Sequence, residues 1–436
     1  MGSRGRRDAV PSRGPGECSE GTSWLGLTTS RSSYQLQDNY EVLGLNGQGS
    51  FGKVFVGRHH GTCKRVAIKE LKKAEGQAAY IATEIAILKD LLHPNITQLL
   101  EVTESKEKTH LVLEFVRGLN LGQELFQSKR QRLQEKDALR FFREILGAVH
   151  YCHRQGIVHE DFKPENVLIN TYGRAKVCDF GFAFWFVPGQ EVRAPGGTPA
   201  YFAPERLLYH TYEGPPLDVW ALGVILYKMI TGTRLFCGEP PEITDTIIYG
   251  IVCYPDFVSM NVKYLLGKIM KWSPKRRPTA QELVQHQWLQ DVRPPSPPGL
   301  LPLPAKKAIL IHMAGMGFGQ LKVMDTLRRK EYNHHMATFL LLQSQALEEM
   351  GFRKVERTLR EASQLSSQPG PAAARLTPQS ERAAPSMASE TVPATGPAVL
   401  SLDSQQGPAA LNLAFEKGPA APSLASDTVP AANSMY

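Results

Sequence analysis

The feature that most constrains this chain is a glycine-rich run, Gly47-Gln48-Gly49-Ser50-Phe51-Gly52, which interrupts strand-like sequence instead of opening a helix. Its glycines let backbone amides approach a polyphosphate without Cβ clashes. A Rossmann site would need a helix to begin at the third glycine, whereas Lys53-Val54-Phe55-Val56 continues as a strand. Such a run alone is a weak signal, so the residues that follow it decide the reading. Seventeen residues after Gly52, Val66-Ala67-Ile68-Lys69 places an ammonium in a strand. An isolated strand lysine is usually a solvated edge charge, but its position after a glycine loop reverses that expectation. Glu84 and Leu88 lie four apart in the helical run Ile81 to Leu92 and share a face. Glu84 can therefore hold Lys69 against phosphates while Leu88 packs behind.

A second cluster, His159-Glu160-Asp161-Phe162-Lys163-Pro164-Glu165-Asn166, supplies a carboxylate, an ammonium and an amide within a few residues. Phosphoryl transfer needs those three groups. Asp161 would orient and accept from an attacking hydroxyl, Lys163 would neutralise charge on the moving phosphoryl, and Asn166 would ligate Mg²⁺. In Asp179-Phe180-Gly181, Asp179 is the expected second metal ligand and Gly181 a backbone hinge. Four such groups in this order and at these separations are not a chance assembly.

Around these motifs, a strand-rich region (Val54 to Val56, Arg65 to Ile68, His110 to Phe115) gives way to helical patterns (Leu139 to His153, Val219 to Ile230, Ala280 to Leu289). Residues 1–39, rich in Arg, Gly and Ser, read as a disordered basic arm. The run Pro294-Pro295-Ser296-Pro297-Pro298 marks a linker over 292–305. Residues 306–346 carry three short amphipathic patterns around Gly315-Met316-Gly317-Phe318, enough for a three-helix module. Residues 347–436 turn to Pro, Ala and Ser, and a segment starting at Ala383 returns nearly intact from Ala420, which reads as a duplicated, disordered tail.

The net charge of +8 comes without any nucleic-acid motif, so it reads as a basic solvated surface and nucleic acid is not an expected partner. No apolar stretch is long enough to span a bilayer, and the Arg-rich start lacks the apolar core of a secretory signal, so a cytoplasmic protein is expected. Arg6 stands where a myristoylation signal wants Ser or Thr. Six scattered cysteines, without a C-x-x-C pair, suit reduced thiols better than disulfides or zinc.

From about Tyr40 to Asp291 the chain resembles a eukaryotic protein kinase domain. The resemblance implies an α+β, two-lobed fold with a small β-rich lobe and a larger helical lobe, using ATP and Mg²⁺. It implies nucleotide contacts from Gly47, Gln48, Gly49, Ser50, Phe51, Gly52, Val54, Ala67, Lys69, Glu84, Leu113, Glu114 and Val116. Leu113 would be the gatekeeper, and Glu114 to Val116 the hinge. Gly197-Thr198-Pro199-Ala200-Tyr201-Phe202-Ala203-Pro204-Glu205 resembles the end of an activation loop, which small-molecule kinases generally lack, so protein is the expected substrate. Lys163 with Thr198 matches the serine/threonine class. Asp218 and Arg277 would be structural, the latter pairing with Glu205. Glu165 can favour basic residues ahead of the acceptor.

A kinase, a linker and a module that resembles a ubiquitin-associated domain together look like the AMP-activated-kinase-related branch of the calcium/calmodulin-dependent kinase group. Val187-Pro188-Gly189-Gln190 and Tyr212-Glu213-Gly214-Pro215-Pro216 look most like the sperm motility kinases. The resemblance implies that the module docks on the kinase and biases its conformation. The chain departs from the pattern at Glu160, where the family usually has an arginine that binds an activation-loop phosphate. Phe182 to Gly197 contains no Ser, Thr or Tyr, and Ala194 stands where relatives carry a phosphorylated threonine. Two expectations follow for Glu160: an ion pair with Arg193 that orders the loop, or a tolerated solvent-facing change. A pseudokinase scaffold remains the rival to an active enzyme, although Lys69, Glu84, Asp161, Asn166 and Asp179 are all present.

Overall fold

The computed structural model describes residues 36–49, 52–193, 196–239, 241–290 and 301–366. The arm over 1–35, Ser50, Phe51, Ala194, most of the linker and the duplicated tail lie outside the described residues. After a short helix, Leu36–Asn39 (α1), five strands form one antiparallel sheet. They are Tyr40–Gly49 (β1), Gly52–His59 (β2), Arg65–Lys72 (β3), Leu99–Glu104 (β4) and Lys108–Glu114 (β5), in the order β1-β2-β3-β5-β4. The helix Ala78–Asp90 (α2) lies between β3 and β4 in sequence and buries Ile81, Glu84, Ile87 and Leu88 on one face, as spacings of three and four dictate.

The sheet has two apolar faces. Directly opposed residues of antiparallel strands share a face, and Ala67 pairs with Val56 and Leu113 while Lys69 pairs with Val54 and Leu111. The alternate residues Val66, Ile68 and Val112 are fully buried on the other side with Tyr40 and Leu100. A two-faced apolar sheet must be covered twice. One cover is the larger helical lobe with α2; the other is the helical module described below.

The larger lobe begins with Gly118–Asn120 (β6) and Leu121–Gln127 (α3), whose start is fixed by a reciprocal Asn120–Gln123 capping box. It continues through Glu135–Arg154 (α4), Ile157–Val158 (β7), Val167–Asn170 (β8), Ala175–Val177 (β9) and Phe184–Trp185 (β10). The remaining helices are Pro204–Leu208 (α5), Pro215–Thr231 (α6), Glu242–Tyr249 (α7), Met260–Ile269 (α8) and Ala280–Val284 (α9). Nearly every residue of α6 from Leu217 onward is buried, so it is the axis on which this lobe packs. Gly232 closes it in the left-handed region (φ 80°), donating to the Lys228 carbonyl at 2.9 Å. The helical pattern expected through Leu289 breaks after Val284 into a 3₁₀ turn, where His286 Nδ1 accepts from the Trp288 N–H at 3.3 Å.

Three further helices follow: Leu303–Gly315 (α10), Gln320–Arg329 (α11) and His334–Ser366 (α12). The first starts inside the span expected as linker, because a first turn tolerates Pro304. The third continues past Ala346, with no proline in the sequence before Pro369. Ile309, Met313, Val323 and Phe339 form the module's own core. Ala337 and Leu341 of α12 close over Val66, Ile68, Leu100 and Val112, covering the outer face of the sheet. Polar contacts fix the register: Val102 N–H donates to the Tyr332 carbonyl at 2.9 Å, Tyr332 Oη to the Lys89 carbonyl at 3.0 Å, and Lys64 pairs with Glu348 at 3.0 Å. Among the described residues no helix is long and apolar enough to cross a membrane.

Glu205 at the start of α5 and Arg277 before α9 form a buried bidentate pair at 2.5 and 2.7 Å, with the guanidinium 4.8 Å from the Trp220 ring centroid. Removing one partner strands the other charge, which costs about 3–5 kcal/mol. Arg277→Met should therefore lower Tm by at least ~6 °C for a domain of this size, as read by thermal denaturation. A change under about 2 °C would contradict the assigned role of the pair.

Candidate active site

The sheet delivers Lys69 to the cleft from its central strand. Its Nζ lies 2.6 Å from Glu84 Oε1 on α2 and 2.7 Å from Asp179 Oδ1, so one ammonium ties the small lobe to the Asp179-Phe180-Gly181 turn. Burial alone would lower the Lys69 pKa, but the two carboxylates outweigh it and hold the ammonium raised. Burial raises Glu84 despite the lysine, whereas Asp179 is held below its ordinary value because Lys69 outweighs its burial. The strand register places Val54, Ala67 and Leu113 on the same face as Lys69, with Gly47 paired to Val54 at the edge. The Glu114 N–H is committed to the Gln98 carbonyl at 2.9 Å and its carboxylate to Lys176 at 2.8 Å, while Val116 makes no backbone hydrogen bond among the described residues.

Beneath the sheet, Asp161 is 4% exposed and held on every side. Thr198 Oγ1 donates to Oδ1 at 2.7 Å; Lys163 Nζ (2.6 Å) and Asn166 Nδ2 (3.1 Å) donate to Oδ2. Lys163 also reaches Thr198 Oγ1 at 3.0 Å, closing a ring that joins the catalytic loop to the segment before α5. Asn166 Oδ1 and Asp179 Oδ2 make no hydrogen bond among the described residues. A carboxylate and an amide oxygen suit Mg²⁺ arriving with a polyphosphate, since that ion keeps most of its shell in phosphate and water. They do not suit a metal held by protein alone, and among the described residues no group of three or more His, Cys, Asp or Glu can hold one.

The loop that carries Asp161 takes its shape from α6. Asp218, 1% exposed, accepts from the backbone N–H of His159 (3.0 Å) and Glu160 (2.9 Å) and contacts His153 Nε2 at 2.9 Å. Glu160 is thereby held at φ 66°, and Asp179 stands at φ 63°. Left-handed backbone outside glycine costs on the order of 1 kcal/mol per residue and persists where the surroundings over-determine it. The His159 ring lies between the two turns, 4.2 Å from the Phe162 ring and 4.8 Å from that of Phe180.

Residues 40–289 match the protein kinase domain family. The chain belongs to the protein kinases. This kinase is 36% identical to sperm motility kinase 2B of Mus musculus over 314 residues, 71% of its own chain and 64% of the relative. It is 37% identical to sperm motility kinase 2A of the same organism over 314 residues, 71% and 62% respectively. Against sperm motility kinase Z the identity is 33% over 328 residues, 72% and 63%. The kinase thus spans a little under two thirds of the length of the curated relatives it matches.

Neither expectation for Glu160 survives in this kinase. Its side chain is fully buried, not solvent-facing, and its partner is Arg206 of α5, 2.5 Å from Oε1, rather than Arg193, which is exposed. Tyr212 Oη approaches the same oxygen at 3.4 Å. Arg206 is fixed by stacking 3.9 Å over the Phe202 ring and by donating to the Gly196 carbonyl. Arg193 neighbours the vacant phosphorylation position in the sequence, whereas Arg206 reaches Glu160 only through the fold.

Burial, helped by Asp218 and Asp161, outweighs Arg206 and pushes the Glu160 carboxyl up to about 7 from its ordinary 4.5. A carboxyl raised in the folded state stabilises fully below the unfolded value and loses that contribution as pH rises through the folded value. The native chain should lose on the order of 3 kcal/mol between about pH 5 and 8 through this group. Glu160→Gln removes that dependence, so native Tm minus variant Tm should fall across the same range. A difference that stays flat in calorimetry would contradict the assignment.

Proposed function

We propose that the chain transfers the γ-phosphoryl of ATP to serine and threonine hydroxyls of proteins, without phosphorylation of its activation loop. The observation that carries this is the ring of Asp161, Lys163 and Thr198, in which a buried carboxylate is aimed and charge-balanced beside an unbroken Lys69–Glu84 pair. Asp179 and Asn166 would hold Mg²⁺ arriving with the nucleotide, and the ion would supply charge neutralisation for the transferred phosphoryl. Asp161 accepts the proton of the acceptor hydroxyl, and Lys163 stands ready for charge on the transferred group. Glu160–Arg206 supports independence from phosphorylation, because the charge that a loop phosphate would satisfy is here satisfied within the chain. A scaffold without transfer is the competing reading; the intact set Lys69, Glu84, Asp161, Asn166 and Asp179 argues against it.

Residues 303–366 we read as a ubiquitin-associated-like module acting in cis on the small lobe. Support comes from the contacts of α12 with the outer face of the sheet that carries Lys69.

The full chain, made in bacteria without an upstream kinase, should phosphorylate a generic basic protein with ATP and Mg²⁺. Asp161→Asn should reduce transfer by roughly 10³-fold or more while nucleotide binding persists. Binding without transfer in the native chain would favour the scaffold. Leu341→Asp, on the contact face of α12, should lower kcat at least about threefold through the position of Lys69, a shift near 0.7 kcal/mol. An unchanged kcat would remove the regulatory reading of the module.

A further inference from the structure

Lys163 and Thr198, which bracket the Asp161 carboxylate, also form part of the wall of a cavity of about 330 Å³. Tyr201, in the turn before α5, lines it too, together with Lys228 in the last turn of α6 and Arg234 just beyond that helix. Glu165 is the one carboxylate among the described residues that line it. The charges do not balance. Lys163 is already matched by Asp161 at 2.6 Å. Lys228 and Arg234 have no carboxylate within 4 Å among the described residues. Glu165 reaches toward α3, where its Oε1 stands 3.3 Å from the position a Cβ on Gly122 would take.

We propose that this cavity selects an anionic side chain, carboxylate or phosphate, within a few residues of the acceptor hydroxyl in a protein substrate. The inference rests on the phosphotransfer reading above and names the class of substrate that reading leaves open. Two unmatched cations in a concave wall focus positive potential beside Lys163 and Thr198, the groups that hold Asp161. A lysine point charge beside an arginine fork is a chemistry that takes carboxylate or phosphate through charge-assisted hydrogen bonds. Position also matters: Lys228 and Arg234 share the cavity with the groups that orient the acceptor, so an anion seated there helps set the register of the peptide. Glu165 remains to favour a basic residue on the α3 side, and the two preferences act on different parts of one substrate.

The test is a peptide series that varies one position at a time on either side of the acceptor, with Asp, phosphoserine, Ala or Arg, assayed with the full chain. At one position or more, an anion should raise kcat/KM roughly tenfold over Ala, the scale of a hydrogen bond between charged groups, and Arg should lower it. Phosphoserine against Asp separates the phosphate from the carboxylate. Lys228→Ala/Arg234→Ala should bring the anion-to-Ala ratio close to one, and Lys228→Glu/Arg234→Glu should reverse it in favour of Arg. Equal rates for anion and Ala at every position overturn the proposal, as does an unchanged ratio in the double alanine variant. Fluorescence anisotropy with the same labelled peptides decides the matter without turnover. If no peptide is phosphorylated, the phosphotransfer reading fails by itself. Tighter binding of the anionic peptide to the native chain than to the double alanine variant then still supports the cavity, and equal binding overturns it.

Discussion

Asp218 is buried in α6, yet the shape of the loop that carries Asp161 depends on it. One buried carboxylate accepts from two consecutive backbone amides, those of His159 and Glu160, and so holds a non-glycine residue in the left-handed region. That turn presents Asp161 to Thr198, Lys163 and Asn166. The anchor works because α6 is buried along almost its whole length and has no freedom to move with the loop. Rigidity in the large lobe is thus converted into the position of a single carboxylate.

A second constraint is the buried pair of Glu160 with Arg206. A carboxylate at Glu160 inverts the charge that a phosphate-binding loop requires, and the fold answers with Arg206 rather than with solvent. Because the pair is buried, screening does little to it, but desolvation makes the carboxylate reluctant to ionise, hence its elevated pKa. The same arginine stacks on Phe202 and holds the Gly196 carbonyl, so the pair links the catalytic loop to the segment that leads into α5.

The small lobe shows how period-two geometry serves two ends. One face of the sheet carries Lys69 and its neighbours to the cleft; the other would expose Val66, Ile68, Leu100 and Val112 without α12. Burying side chains of this size contributes roughly 1.5–3 kcal/mol each, so the module stabilises the sheet that positions Lys69. The strand that carries Lys69 and the covering helix are consequently one packing problem.

The sequence by itself determined the two-lobed architecture and the order of the motifs, and the fold brings Lys69, Glu84 and Asp179 together at one point and Asp161, Lys163 and Asn166 at another. The motifs are local signals: a glycine run between strands, a lysine at fixed spacing, and a carboxylate, ammonium and amide within six residues of one another. Helix boundaries near 303 and 346 were less legible, since a first-turn proline or a weak breaker leaves the choice to packing. The partner of Glu160 was not legible at all. Arg193 and Arg206 are equally charged, and only the burial of α5 against the catalytic loop decided between them. That Lys228 and Arg234 line one cavity belongs to the same class, because the chain must turn at Gly232 before Arg234 can return to the wall that Lys228 shares. Tertiary structure decides where charges meet, because an ion pair depends on distance through space, and sequence separation says little about that distance once the chain has folded.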